Sequence, residues 1–147
     1  MENKWDNRFM QLAEHISSWS SCCRHNVGAV IVKDNRVLAT GYNGAPAGIE
    51  TCKERGYCYK NKLGIESGPL QCYAVHAEQN AILQAAKFGI SIKDATLYCT
   101  HKPCNICIKQ IINSGIKRVY YKEDYKDDFA DQIVNNMKNK IDVIKWV

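Results

Sequence analysis

At 147 residues the chain is long enough for one domain with a single core and short for two. Its apolar fraction of 46% and charged fraction of 24% are ordinary for a soluble globular protein, and no apolar run approaches the roughly 18–20 residues that span a bilayer. The formal net charge of +5 is mild: it suits a phosphorylated substrate or simply a lysine-rich surface, and selects no partner by itself.

The opening stretch MENKWDNRF lacks the basic-then-apolar layout of a signal peptide, which gives a cytoplasmic expectation. In a reducing compartment eight cysteines favour metal binding over a disulfide frame. Trp5, Phe9, Leu12, Ala13, Ile16 and Trp19 recur at spacings of three and four, the stripe of an amphipathic helix. The β-branched run 27–32 and residues 36–40 flank a turn-prone Lys33-Asp34-Asn35, so they predict a hairpin. Residues 45–73 then form an irregular, cysteine-bearing insertion, and structureless loops beyond about 12–15 residues are uncommon unless they carry function. Residues 74–88 predict a helix with Ala77, Ala81, Ile82, Ala85 and Phe88 on one side. A strand follows at 95–100. A helix over 103–114 starts with proline in its first turn and stops at Gly115. Residues 117–121, 128–138 and 141–147 predict strand, helix and strand. This alternation implies parallel pairs with crossover helices. The expectation is a single domain over 1–147, a three-layer α/β/α fold around a mixed five-stranded sheet.

Two short segments carry chemistry, His76-Ala77-Glu78 and Pro103-Cys104-Asn105-Ile106-Cys107, each where the chain enters a helix. Cys104 and Cys107, at i and i+3 of a first turn, project side by side, and free N–H groups there favour thiolates. With His76 as a third ligand, two thiolates and an imidazole offset a divalent zinc and leave its fourth position open, the pattern of a catalytic site. Zinc brings the pKa of a bound water towards ~7, and Glu78 is close enough to take its proton without binding the metal. Alone, His-x-Glu is a weak signal and Cys-x-x-Cys suits a structural zinc or a redox pair. Together they form the signature of zinc nucleobase deaminases.

From Ser20 to Tyr125 the sequence resembles the deoxycytidylate deaminases of the cytidine deaminase-like superfamily, particularly phage and Gram-positive late-competence-operon members. The resemblance rests on Val27-Gly28-Ala29-Val30, Thr40-Gly41-Tyr42-Asn43-Gly44, His76 through Ile82, the Pro-Cys-x-x-Cys helix, Ser114 through Lys117 and Tyr120-Tyr121. It implies hydrolysis of dCMP to dUMP and ammonia, feeding thymidylate synthesis, with zinc-bound hydroxide attacking C4 and Glu78 shuttling protons. It further implies that Asn43 and the Ala77 backbone hold sugar and base, although Asn before Gly is also a common turn pair. Similarity to bacterial members suggests Arg24, Tyr125 and Lys126 for the phosphate, the last two beyond a strand end where α/β sheets bind ligands. Relatives imply a homohexamer activated by dCTP with Mg2+ and inhibited by dTTP, with nucleotide near Gly41, Tyr42 and Gly44.

Of the other cysteines, Cys99 lies in an apolar strand and reads as a buried small hydrophobe. Three of the rest fall within the insertion, which has little core of its own and gains from a metal clip. A second, structural zinc on Cys22, Cys52, Cys58 and Cys72 is therefore expected. Phage relatives carry a second zinc whose cysteine ligands match Cys22 and Cys52, with histidines where this chain offers Cys58 and Cys72. Cys23 or His25 could replace one ligand, and free thiols are the competing account. His15 reads as helix surface, and His101 as a candidate pocket wall. The rival activities are deamination of dCTP or of adenosine in transfer RNA. A non-catalytic zinc module fits less well, because a structural site has no use for a free acid beside three ligands. Membrane and nucleic-acid partners are not expected.

Overall fold

The computed structural model describes residues 3–65 and 72–147. In chain order the elements are α1 (Lys4–Ser17), β1 (Gly28–Lys33), β2 (Arg36–Tyr42), α2 (Cys52–Arg55), α3 (Tyr59–Lys62), α4 (Ala77–Lys87), β3 (Thr96–His101), α5 (Asn105–Asn113), β4 (Arg118–Glu123), α6 (Asp128–Asn136) and β5 (Asp142–Lys145). Asn3 starts α1 by accepting the N–H groups of Trp5 and Asp6, while the Asp6 carboxylate accepts the Asn3 N–H in return. The helix buries Phe9, Met10, Ala13 and Ile16, but not the two tryptophans of the predicted stripe. Trp5 and Trp19 are 39% and 54% exposed, and Trp19 lies beyond the helix end.

Asp34 and Asn35 both take left-handed backbone angles, which closes β1 and β2 through a two-residue turn matched to the strand twist. The sheet order is β2-β1-β3-β4-β5. β1 pairs antiparallel with β2 and β3, whereas β3-β4 and β4-β5 are parallel with α5 and α6 as crossovers. One sheet face packs Val30, Val32, Tyr98 and Tyr120 against α1. The other packs Ala29, Ile31, Leu97 and Val119 against apolar residues of α4, α5 and α6. The result is the expected α/β/α layering around a mixed five-stranded sheet.

Three local readings need correction. Phe88 is 66% exposed, because α4 ends at Lys87 and the chain turns away there. Pro103 precedes the N-cap Cys104 and so lies outside the first turn of α5. The insertion is not structureless, since it holds α2 and α3, although residues 66–71 of it lie outside the described residues. No helix among the described residues is long and apolar enough to cross a membrane.

Two glycines set how closely helices approach the sheet. A Cβ at Gly28 would lie 2.1 Å from the Ala13 carbonyl oxygen on α1, and one at Gly41 would lie 2.2 Å from the Ala77 carbonyl oxygen on α4. Both obstacles are backbone, so a helix must move. Gly28→Ala and Gly41→Ala should each destabilise the fold by about 1–3 kcal/mol in urea titrations. Only Gly41→Ala should also weaken metal retention in a chelator competition, because α4 carries His76. Equal retention in the two variants would contradict this placement.

Candidate active site

Two helix beginnings deliver side chains to one point. His76 is the N-cap of α4, with Glu78 in its first turn, and Cys104 is the N-cap of α5, with Cys107 three residues on. His76 Nδ1 lies 3.2 Å from Cys107 Sγ and 3.5 Å from Cys104 Sγ. All three ligand atoms lie within 4.8 Å of one another, and no other His, Cys, Asp or Glu group among the described residues converges in this way. Zinc bonds of about 2.0–2.1 Å to nitrogen and about 2.3 Å to sulfur put tetrahedral ligands roughly 3.5–3.8 Å apart, so the observed trio fits one zinc ion.

Both helix starts are anchored. Gln79 Oε1 accepts the His76 N–H at 2.9 Å, and Asn80 Nδ2 donates to the Tyr42 carbonyl at 2.8 Å. The Thr40 N–H donates to Gln84 Oε1 at 2.8 Å, and Gly44 bridges Val75 just ahead of the helix. At α5, Asp127 Oδ2 accepts the Asn105 N–H at 2.8 Å and Asn105 Nδ2 at 3.0 Å, while its Oδ1 caps α6 through the Ala130 N–H at 3.0 Å. Burial would raise the Asp127 carboxyl, but these donors outweigh it and hold the group below its usual range. One carboxylate thus ties two helix starts together. Its sequence signal is an Asp ahead of a helical run, which marks an N-cap but not the reach back to Asn105.

The three ligand groups share protons. A hydrogen bond from Cys107 pulls the Cys104 thiol down to about 4 against the effect of burial, and His76 adds to this. The Cys107 thiol is driven up because it donates to Cys104 and is buried. His76 is raised by its hydrogen bond to Cys104, which outweighs burial. A divalent cation would replace shared protons among donors already disposed to carry negative charge. Glu78, only 5% exposed, has its carboxyl raised by burial. Cys99 on β3 interacts with it as a fully buried thiol, held protonated by burial and by the Glu78 charge. Cys99 sits in the apolar core, in keeping with its reading as a buried small hydrophobe.

A cavity of about 540 Å3, within the small-molecule range, opens over His76, Ala77, Glu78 and Cys104. Asn43, Arg24 and Tyr125 line it, whereas Lys126, Gly41, Tyr42 and Gly44 are not among its lining residues. Asn43 is buried with its amide already engaged: Oδ1 accepts the Val27 N–H at 2.9 Å, and Nδ2 donates to the His25 carbonyl at 3.0 Å. Gly41 and Tyr42 instead form the rail on which α4 docks. His101 lies on the wall at the end of β3, with burial and the nearby His25 lowering its pKa. Lys60, which sequence reasoning did not select, lines the same cavity at 8% exposure.

Cys22, Cys52, Cys58 and Cys72 border that cavity too, while Cys23 is exposed. Their sulfurs do not converge as the His76 trio does. All four nevertheless accept donors suited to thiolates. The Arg24 N–H reaches Cys22 Sγ and the Ala74 N–H reaches Cys72 Sγ, each at 3.4 Å. Burial acts to raise Cys58, but N–H groups of Asn61 and Lys60 prevail and lower it. Arg55 Nη1 approaches Cys52 Sγ at 3.7 Å.

A family model for the cytidine and deoxycytidylate deaminase zinc-binding region matches residues 3–123. The chain is 46% identical over 122 residues to ComE operon protein 2 of Bacillus subtilis, a match covering 83% of this chain and 61% of that protein. It is 42% identical over 127 residues to a deoxycytidylate deaminase of Mycobacterium phage D29, covering 82% of this chain and 95% of the phage protein. It spans less of two yeast deoxycytidylate deaminases, 40% and 38% of their lengths. Among solved structures, the dCMP deaminase of cyanophage S-TIM5 in complex with dCMP and dUMP superposes with a TM-score of 0.80 at 35% identity, covering 99% of each chain. Convergent geometry and sequence likeness extend over the same residues, and the chain belongs to the cytidine and deoxycytidylate deaminase family.

Proposed function

We propose that this chain hydrolyses dCMP to dUMP with release of ammonia. The observation that carries the reading is a buried acid, Glu78, beside three convergent ligands at the base of a nucleotide-sized cavity. The relatives named deoxycytidylate deaminase supply the substrate. His76 Nδ1 and the sulfurs of Cys104 and Cys107 would hold zinc, which supplies Lewis acidity and makes a water strongly nucleophilic near neutral pH. Glu78 takes one proton of the attacking water and delivers it to N3 of cytosine, then takes the second from the oxygen now bound to C4 and delivers it to the departing amine. The C4–O bond forms, the C4–N bond breaks, and the nitrogen leaves as ammonia. Ala77 offers backbone to the base edge. Asn43 has one amide hydrogen beyond those bonds for the sugar, while its other contacts keep it rigid.

Cys22, Cys52, Cys58 and Cys72 take a second, structural zinc in this reading, supported by their common border and by the donors aimed at their four sulfurs. Arg24, Tyr125 and Lys126 remain the proposed phosphate contacts, with Arg24 and Tyr125 supported by their place on the cavity wall. One domain over 1–147, a homohexamer, regulation by dCTP with Mg2+ and by dTTP through the Gly41–Gly44 stretch, and a cytoplasmic setting complete the proposal, on the family likeness alone.

Glu78→Gln should retain zinc at the parent level yet lose about 10²–10⁴-fold in turnover of dCMP, measured by ammonia release. Activity within threefold of the parent would remove Glu78 from proton transfer. Elemental analysis of fully loaded protein should give two zinc ions per chain, falling to one in Cys58→Ser. A single zinc in the parent would end the second site and leave the first intact.

A further inference from the structure

We propose that Asp127, at the start of α6, is a positioning residue for the metal centre: its hydrogen bonds to Asn105 hold the Cys104 sulfur in place and set how long the ion is retained. The inference rests on His76, Cys104 and Cys107 holding the metal, and is independent of which nucleotide is the substrate.

The first N–H groups of a helix have no partner within it, and an N-cap side chain ordinarily accepts one of them. Cys104 is the N-cap of α5 and makes no such bond. Its sulfur is turned instead to His76 Nδ1, at 3.5 Å. Pro103 before it brings no N–H of its own. The start of α4 is fastened from within its own helix, where Gln79 reaches back to the His76 N–H at 2.9 Å. The start of α5 depends on another element. Asp127 Oδ2 accepts the Asn105 N–H at 2.8 Å and Asn105 Nδ2 at 3.0 Å, so one oxygen fixes both the backbone and the side chain of the residue that follows Cys104.

Asp127 is itself held by the first turn of α6. Its Oδ1 accepts the Ala130 N–H at 3.0 Å, and its carbonyl accepts the Asp131 N–H at 3.1 Å. From that same turn the Asp131 carboxylate pairs with Lys102 Nζ at 2.6 Å. The start of α6 therefore grips the chain on both sides of Pro103-Cys104. The Lys102 pair is partly exposed and screened by water, which leaves the charge-assisted bonds of Asp127 as the principal tie. Groups that orient a metal ligand from outside the coordination shell are worth about 10–100-fold in metal affinity.

The two oxygens of Asp127 have separate tasks, so its role at the metal can be told apart from its capping of α6. Asp127→Ser keeps an acceptor for the Ala130 N–H but is too short to reach Asn105 as well. The zinc-loaded full chain and its variants are mixed with a chromophoric chelator, and the release of zinc is followed by absorbance. The phase missing from His76→Ala belongs to the trio. In Asp127→Ser that phase should be about 10–100-fold faster, with a smaller acceleration in Asn105→Ala, which keeps its backbone N–H. The double variant should be no faster than Asp127→Ser, because the two residues act through one contact. Asp127→Asn, with one amide oxygen for two tasks, should accelerate the same phase and replaces the serine variant if that does not fold. A release rate unchanged from the parent in the folded variant, or effects that multiply in the double variant, overturns the Asp127 assignment alone. A parent without any phase that depends on His76 overturns the metal centre and the assignment with it.

Discussion

Two helix N-termini facing one another present partial positive charge to partial positive charge, an arrangement that needs negative groups between them. Here the Cys104 thiolate and the Glu78 carboxyl occupy that space, together with Cys107 and His76. Nearly everything else in the fold serves this convergence. Gly41 lets α4 press onto β2, and polar side chains along α4 clip it to the strand and to the loop beyond. On the other side Asp127 fixes the first turn of α5 from the start of α6. A metal held at such a point inherits its geometry from sheet packing.

The chemistry was legible because it depends on residue types at short spacing. His76-Ala77-Glu78 and Cys104–Cys107 each occupy a single helix start, and local sequence is enough to place them. The hairpin and the parallel half were legible for a similar reason, since the Asp34-Asn35 turn and the alternation of strand and helix are local patterns. The failures have a tertiary origin. Trp19 and Phe88 satisfy helical spacing but fall beyond the helix ends, where the chain no longer faces the sheet. The tie from Asp127 to Asn105 spans 22 residues, which no local window reveals, although its capping of α6 is local. The hydrogen bonds from Arg24 to Asn61 and Ile65 became visible only with the insertion folded.

The insertion borders the catalytic site. Cys52, Cys58 and Cys72 of the insertion border the same cavity as His76, Glu78 and Cys104, so whatever fixes the position of α3 also shapes that cavity. A segment of two four-residue helices has little apolar surface to hold it, and Cys52 and Cys58 are its buried anchors. Metal binding at those thiols would stiffen the same stretch that Arg24 clamps.

The most direct measurement is anomalous diffraction at the zinc edge from crystals of the loaded protein. The account predicts a peak about 2.0–2.3 Å from His76 Nδ1 and from the sulfurs of Cys104 and Cys107, with no fourth protein ligand and Glu78 beside the open position. An absent peak there, or a fourth side chain closing the coordination shell, would contradict it.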